Sequence, residues 1–488
     1  MKLILRGHDC RYACEQMMLT LFPGERPVYE GEEEHWARLT LSPGRTWLTA
    51  TALLHWQGKD YRACVRAPMT ELTGEPLSDE RVRQKVLKLA FFRAGCEALG
   101  RVPSWGALTG VRPVKLPTKA ILAGKSEKEA EQTLLKTYQV HPSRVELAMD
   151  CARESVKLCR SLDPKEISLY VGVPFCPTRC AYCSFVSADI GQSLGLLDPF
   201  LDVLEAELKA AGDNVARTGH RVRTIYVGGG TPTTLSAPQL DRLLTALETH
   251  FDLSGCVECT VEAGRPDTIT REKMEVLAKH GVHRVSVNPQ SMEDHVLEAM
   301  GRSHRAADIL RAYEDVRASG SFAVNMDLIA GLPLDTPEGF ARTLDRVLAL
   351  RPENITVHTL ALKKGSALMR GESGRLPTAE EVADMLTHAW QTLRKAGYVP
   401  YYLYRQKYMS GGFENVGWCL PGQENQYNIL MMEELHSVLA LGGGGMTKLV
   451  DRQKGAIRRV NNPKYPREYI QRAETVCKEK ETLTWRID

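Results

Sequence analysis

The chain has 488 residues, 43% hydrophobic and 25% charged, the make-up of a folded protein rather than a low-complexity or disordered one. Its 63 Lys and Arg against 60 Asp and Glu leave a net charge of +3, which argues against nucleic acid as a general partner. No apolar run reaches the length of a membrane span, and the N-terminus turns polar too early for a secretory signal. Thirteen cysteines without regular pairing fit a reducing, cytoplasmic setting.

In chain order, residues 1–75 predict a β-rich start. Trp36–Leu41 and Trp47–Trp56 alternate or are aromatic-rich around the turn residues Pro43 and Gly44, and Tyr61–Arg66 predicts a further strand. Residues 78–100 predict a helix capped by Ser78 or Asp79, with Val82, Val86, Leu89 and Ala90 on one face. Helices near 127–137 and 142–160 complete an α+β N-terminal domain over residues 1–160.

From Ile167 short β-branched runs alternate with longer amphipathic ones. Strands are predicted at 167–173, 223–228, 257–263, 283–287, 322–329 and 354–359, with helices at 199–216, 237–250, 270–280, 305–319 and 338–350. Repeated βα alternation implies a parallel sheet, because only a crossover helix returns the chain to the same end. This core is expected over residues 161–375. A C-terminal part over 376–488 holds a predicted helix at Thr378–Ala396, the aromatic run Tyr401–Tyr408, the glycines Gly442–Gly445 and a helix at Arg467–Lys480.

The first core strand runs into Cys176, Cys180 and Cys183, a CxxxCxxC spacing. A [4Fe–4S] cluster takes four protein thiolates, so a loop offering three leaves one iron open. An open iron can chelate the amino and carboxylate groups of S-adenosylmethionine (SAM) and pass it an electron. A zinc loop or three ordinary thiols are the other readings. Zinc asks for four ligands, usually as two pairs; no second pair lies nearby in sequence, and the CxxC of Cys256 and Cys259 puts Cys259 in a predicted strand.

Other polar and glycine features fall at the C-terminal ends of the predicted strands, the rim where chemistry gathers in barrel-type sheets. Gly228–Gly230 and Thr231 follow the second strand, Glu262 ends the third, Gln290 follows the fourth, and Asp327 lies near the end of the fifth. The glycines let a ligand approach the backbone. Glu262 offers acceptors only, as ribose hydroxyls require, and also reads as a solvated edge charge. Asp327, a charge inside an apolar run, needs a ligand or a buried partner such as Arg302. Tyr182, between two cysteines, is placed to cover a cluster or an adenine. Arg112, Lys115, Arg405 and Lys407 read either as contacts for a polyanionic substrate or as solvated charges.

On these residues the chain resembles the radical-SAM superfamily and, within it, the oxygen-independent coproporphyrinogen oxidase group. The stretches are Tyr170–Cys176, Cys180–Phe185, Gly228–Thr233, Val261–Pro266, Pro289–Ser291, Gly301–His304 and Met326–Pro333. Gly106–Pro113, Tyr404–Lys407, Glu414–Trp418 and Asn428–Glu433 look like its HemZ-type branch. The resemblance implies a partial (β/α)6 barrel and a [4Fe–4S] cluster on the three cysteines. It implies one or two SAM molecules contacted by Tyr170, Tyr182, Gly229, Gly230, Thr231, Glu262, Gln290, Arg302 and Asp327, with Tyr170 and Arg302 also assigned catalytic roles. The implied reaction converts coproporphyrinogen III to protoporphyrinogen IX by oxidative decarboxylation through a 5′-deoxyadenosyl radical. Its partners are a tetrapyrrole substrate and an electron donor such as flavodoxin or ferredoxin. The chain departs from the oxidases at Phe185, where they carry a further cysteine, and at Gly172, where they carry histidine. Phe185 is shared with haem-chaperone relatives, so the alternative is a haem-binding and haem-delivery protein, with His304, His358 or His436 as axial ligand.

Overall fold

A computed structural model describes residues 1–183, 188–361, 374–406, 412–452 and 455–485, which leaves Phe185 and Lys407 outside the described residues. The chain divides into two compact units, Met1–Met149 and Asp150–Asp488.

In the first unit the elements are β1 (Lys2–Arg6), α1 (Arg11–Leu21), β2 (Trp36–Pro43), β3 (Trp47–Trp56), β4 (Lys59–Pro68) and α2 (Pro76–Leu99). The strands form one sheet in the order β1-β2-β3-β4, parallel between β1 and β2 and antiparallel thereafter. Every second residue of β2 and β3, from Ala37, Leu39 and Leu41 to Leu48, Ala50, Ala52 and Leu54, is buried with α1 and α2 in a single core. A fully buried Leu or Met contributes about 1.5–3 kcal/mol by leaving water, enough to fix which face turns inward. Helix α1 corrects the β-rich expectation for residues 1–75. Its buried Ala13, Cys14, Met17, Met18 and Leu21 follow helical spacing. Helix α2 starts earlier than expected. The Glu75 side chain accepts from the backbone of Leu77 and Ser78, Pro76 fits the first turn, and Asp79 instead accepts from the Thr73 N–H. Helices α3 (Lys115–Leu122) and α4 (Glu127–Gln132) follow, and α5 (Pro142–Ser161) begins in this unit and runs on into the second from Asp150.

The second unit is built on β5 (Glu166–Val173), β6 (Phe175–Cys176), β7 (Ala188–Asp189), α6 (Ile190–Ser193), α7 (Leu197–Thr218), β8 (Arg221–Gly229), α8 (Ala237–His250), β9 (Glu258–Val261), α9 (Arg271–Lys279) and β10 (Arg284–Ser286). It continues with α10 (Asp294–Ala299), α11 (Ala306–Ser319), β11 (Ala323–Ala330), α12 (Pro337–Leu350) and β12 (Asn354–Thr359). After these come α13 (Ala379–Lys395), β13 (Val399–Arg405), β14 (Glu414–Cys419), α14 (Gln426–Glu433), β15 (Val438–Gly442), β16 (Met446–Asp451), β17 (Ala456–Asn461), α15 (Pro466–Gln471) and α16 (Ala473–Glu481).

The six expected core strands pair in the order β12-β11-β10-β9-β8-β5, all parallel. The sheet runs on through β14 and β13 at one end and β15, β16 and β17 at the other, an open array of eleven strands. Helix starts follow local chemistry. Ser236 and Gln239 form a reciprocal cap on α8, as Thr378 and Glu381 do on α13. The single helix expected at Arg467–Lys480 is two helices that meet at Arg472. Among the described residues no helix is long and apolar enough to cross a membrane.

Candidate active site

The strands position the site because their C-terminal ends all open on one side. β5 leads through Pro174 into β6 and the cysteine loop. Thr231 N–H donates to Phe175 O (2.7 Å) and Gly230 N–H to Val173 O (2.8 Å), which clamps the β8 turn against the start of that loop. Gly229 has φ +111°, and a Cβ on Gly230 would lie 2.4 Å from Phe175 O, so both positions need glycine. Thr231 Oγ1 sits 3.5 Å from Cys176 Sγ.

Cys176, Cys180 and Cys183, each partly exposed, line one cavity with Tyr182, Gly229, Gly230, Thr231, Glu262, Gln290, Arg302 and Asp327. The resemblance thus names eight SAM contacts that the fold gathers around the cysteines. The ninth, Tyr170, is absent from the cavity lining. It lies on the inner face of β5, stacked on Tyr226 (6.3 Å between ring centroids) and Tyr427 (6.5 Å).

Sulfurs sharing one zinc ion lie about 3.8 Å apart, given Zn–S bonds near 2.3 Å. Among the described residues the trio of ligand atoms within 4.8 Å of one another is Asp9, Cys10 and Glu80 in the first unit, so the three loop sulfurs do not all lie that close together. A larger centre suits them. Gln290 supports a ligand site independently. It is a non-glycine residue at φ +65°, tied to β11 through Asp327 O (2.9 Å), and its buried Oε1 has no partner.

Two cations hold the loop. Arg265 grips Asp267 with two hydrogen bonds (2.9 and 2.7 Å), donates to Thr178 Oγ1 (2.7 Å) and reaches Cys180 Sγ at 3.9 Å. Arg302 donates to Asn288 O (2.9 Å) and to Tyr182 Oη (3.0 Å). Burial works against the Arg302 charge, but Tyr182 and Cys180 beside it outweigh burial and strengthen its hold on the proton.

Two carboxylates face the same cavity with proton affinities shifted in opposite directions. Burial opposes the Asp327 charge, yet His358 (Nε2–Oδ1 3.7 Å), Asn325 (2.7 Å) and Thr356 together hold its carboxyl below the usual range. Glu262 is pushed up to about 7, first by burial and then by the Asp327 charge, against the Tyr226 hydroxyl that donates to its Oε1 (2.5 Å). Carboxylates whose environments drive their proton affinities apart divide acid and base roles between them.

Of the three histidines considered as haem ligands, only His358 lines the cavity. His304 is 4% exposed beside Arg302, and burial and that cation lower its pKa to about 4. His436 is buried against Ser168 (2.7 Å), and burial lowers its pKa to about 3. Gly172 has a structural reason. A Cβ there would lie 2.5 Å from Gly443 O, because the Gly442–Gly445 turn packs on that strand. Arg112 and Lys115 belong to the first unit. Sequence reasoning passed over Arg265 and Tyr226. The parity of β8, which puts Tyr226 on the same face as Gly228 and next to Glu262, could have flagged the tyrosine.

Residues 170–347 match the model of the radical SAM superfamily. The chain is 41% identical over 385 residues to the oxygen-independent coproporphyrinogen-III oxidase-like protein HemZ of Bacillus subtilis, covering 78% of this chain and 77% of that protein. It is 33% identical to the heme chaperone HemW of Lactococcus lactis over 269 residues, 54% of this chain and 65% of that one. Its fold is that of coproporphyrinogen III oxidase HemN from Escherichia coli, with a TM-score of 0.51 at 24% identity, over 66% of this chain and 72% of that one. The superfamily's cofactors are a [4Fe–4S] cluster and SAM. The chain is a member of the radical SAM superfamily and belongs within it to the HemZ family of oxygen-independent coproporphyrinogen-III oxidase-like proteins.

Proposed function

We propose that the chain catalyses the oxidative decarboxylation of coproporphyrinogen III to protoporphyrinogen IX, without oxygen, in porphyrin and haem biosynthesis. The observation that carries this reading is the single cavity that joins the three cysteines to the glycine turn, the carboxyl groups of Glu262 and Asp327 and a buried arginine. In this reading residues 161–375 form the radical-SAM core and 376–488 complete it. Cys176, Cys180 and Cys183 would hold the cluster. Gly229, Gly230, Thr231, Gln290 and Glu262 would hold SAM, with Glu262 accepting from the ribose hydroxyls. When bound, the two groups supply a 5′-deoxyadenosyl radical that takes hydrogen from a propionate side chain. Tyr182, pinned by Arg302, would keep water from that centre. The Arg302 cation would add positive charge beside the cluster loop, and Tyr170 would support the floor through its stack on Tyr226.

The test is anaerobic incubation of the reconstituted protein with coproporphyrinogen III, SAM and a reductant such as flavodoxin or ferredoxin. Two methionines released per protoporphyrinogen formed is the expected result. Substrate-independent methionine release, or no vinyl product from a fully loaded protein, would overturn it. Haem delivery is the second reading, favoured by the heme-chaperone names of relatives and by His358 at the cavity wall. Under it, haem binds tightly and His358→Ala removes the haem absorbance shift, while no vinyl group forms.

A further inference from the structure

The outward face of the first unit's sheet is strongly cationic. Strand pairing places Lys2 and Arg6 of β1, Arg38 of β2, and Arg62 and Arg66 of β4 on the side opposite the buried core. Asp60 is the one carboxylate among those outward strand positions, and His55 already holds it (2.6 Å). Arg6, Arg62 and Arg66 are exposed. Among the described residues, the side chains of Arg6, Arg38, Arg62 and Arg66 make no ion pair and no hydrogen bond. Only Arg38 has a neighbour of note, lying over the Trp36 ring at 5.5 Å.

Arg38 and Arg62 flank Leu53 in one row, two strand spacings or about 10 Å apart. The uncharged positions between the cations include the hydroxyls of Thr40, Thr49 and Thr51. At one end of the face the Trp47 side chain stands 45% exposed. The near-neutral total conceals this local segregation: residues 1–75, which hold the sheet, carry 9 Lys and Arg against 10 Asp and Glu, but of those acids only Asp60 lies on a strand of the sheet.

Planar guanidiniums pair with phosphate oxygens through two parallel hydrogen bonds, hydroxyls add neutral contacts, and an exposed indole offers a surface on which a base stacks. An acidic protein would answer the charge and leave the indole unused. We propose that the outer face of the β1–β4 sheet is a docking surface for single-stranded nucleic acid. Arg6, Arg38, Arg62 and Arg66 meet its phosphates, and Trp47 stacks on a base. The face spans about 14 Å between Arg62 and Arg66 along β4 and a similar width across four strands, room for a short run of nucleotides.

The test is fluorescence anisotropy of the full chain with a labelled oligouridylate of about 20 nucleotides, the site size of one or a few binding modules. Four phosphate contacts predict a log–log salt slope of about −3 between roughly 50 and 200 mM salt. Replacing two contacts in Arg62→Glu/Arg66→Glu should lower affinity at least about tenfold and flatten that slope, with iron content and melting temperature unchanged. Trp47→Ala should lower affinity about fivefold or more without changing the slope. No binding at low salt would overturn the proposal, as would binding that survives Arg62→Glu/Arg66→Glu. Displacement of the probe by polyglutamate of matched length, with no effect of Trp47→Ala, would overturn it in favour of an acidic protein partner.

Discussion

SAM binding should release a proton from Glu262, and the pH dependence of that binding can be worked from the site. Glu262 is held near a pKa of 7, chiefly by burial, with the Asp327 charge adding to it. A carboxyl accepts from ribose hydroxyls best when ionised, so a bound cationic nucleoside favours the deprotonated form. About one Glu262 in eleven is ionised at pH 6 and about ten in eleven at pH 8, so the affinity for SAM should rise about tenfold over that interval. The neighbours set the direction of further shifts. Tyr226 donates to the carboxylate and favours its charge, so Tyr226→Phe should move the transition to higher pH. Asp327→Asn removes the like charge and should move it lower. The assay is calorimetric titration of SAM into anaerobically reconstituted protein at pH 6, 7 and 8, in two buffers of different ionisation heat. Glu262→Gln is the control for the titration of SAM's own amino group. The reasoning fails if Glu262→Gln shows the same pH slope as the wild type, or if Tyr226→Phe and Asp327→Asn shift the midpoint in the same direction. The cofactor-free protein gives a second reading of the same proton. Because the folded-state pKa lies above the unfolded value of 4.5, the native state binds more protons between those limits. The group's contribution is therefore fully present below about pH 4.5 and is lost as pH rises through 7, by up to roughly 3 kcal/mol.

Cys180→Ala should abolish iron incorporation, measured as iron per chain after anaerobic reconstitution, whereas Cys256→Ala should leave it unchanged. Arg265→Leu removes the clamp between Asp267 and the cysteine loop and strands a partly buried carboxylate. It should cost about 1–3 kcal/mol in thermal or denaturant unfolding, with reduced iron loading. Gly172→His should lower the melting temperature and the iron content together, because its Cβ meets the Gly443 carbonyl rather than a yielding side chain. Overpacking of that kind costs about 1–3 kcal/mol. An unchanged melting curve would show that the 442–445 turn moves aside freely.

The six core strands and five crossover helices were legible because each carries its own signal. A parallel strand buried on both faces reads as a β-branched run, and its helix as a 3.6-residue period between caps. The rim residues followed from their place at strand ends. Helix α1 was hidden because its apolar stripe sits in a stretch otherwise dominated by strand-forming residues. The break at Arg472 lies inside one continuous amphipathic pattern. Arg265 lies within the Val261–Pro266 stretch but carries no local signal that sets it apart. Its role depends on Thr178 and Cys180, 87 and 85 residues earlier, which no local pattern brings near.

The interior of the site shows why the core segment alone does not specify it. Tyr170, Tyr226 and Tyr427 form one ring cluster, each centroid within 6.5 Å of the other two, with the Tyr226 hydroxyl on Glu262, and Tyr427 comes from α14, beyond the segment that matches the superfamily model. Helix α14 is held there by Glu258 of β9, which accepts from the N–H groups of Gln426 and Tyr427 (3.1 Å each). The same C-terminal stretch supplies β14 against β12 and β15 against β5, so both edges of the six-strand array are paired by strands that follow it in sequence. Unpaired edges are costly and prone to association. The ring that packs on Tyr226, the hydrogen-bond partner of Glu262, and the strands that close the array's edges therefore come from one segment, some 160 positions downstream of the carboxylate itself.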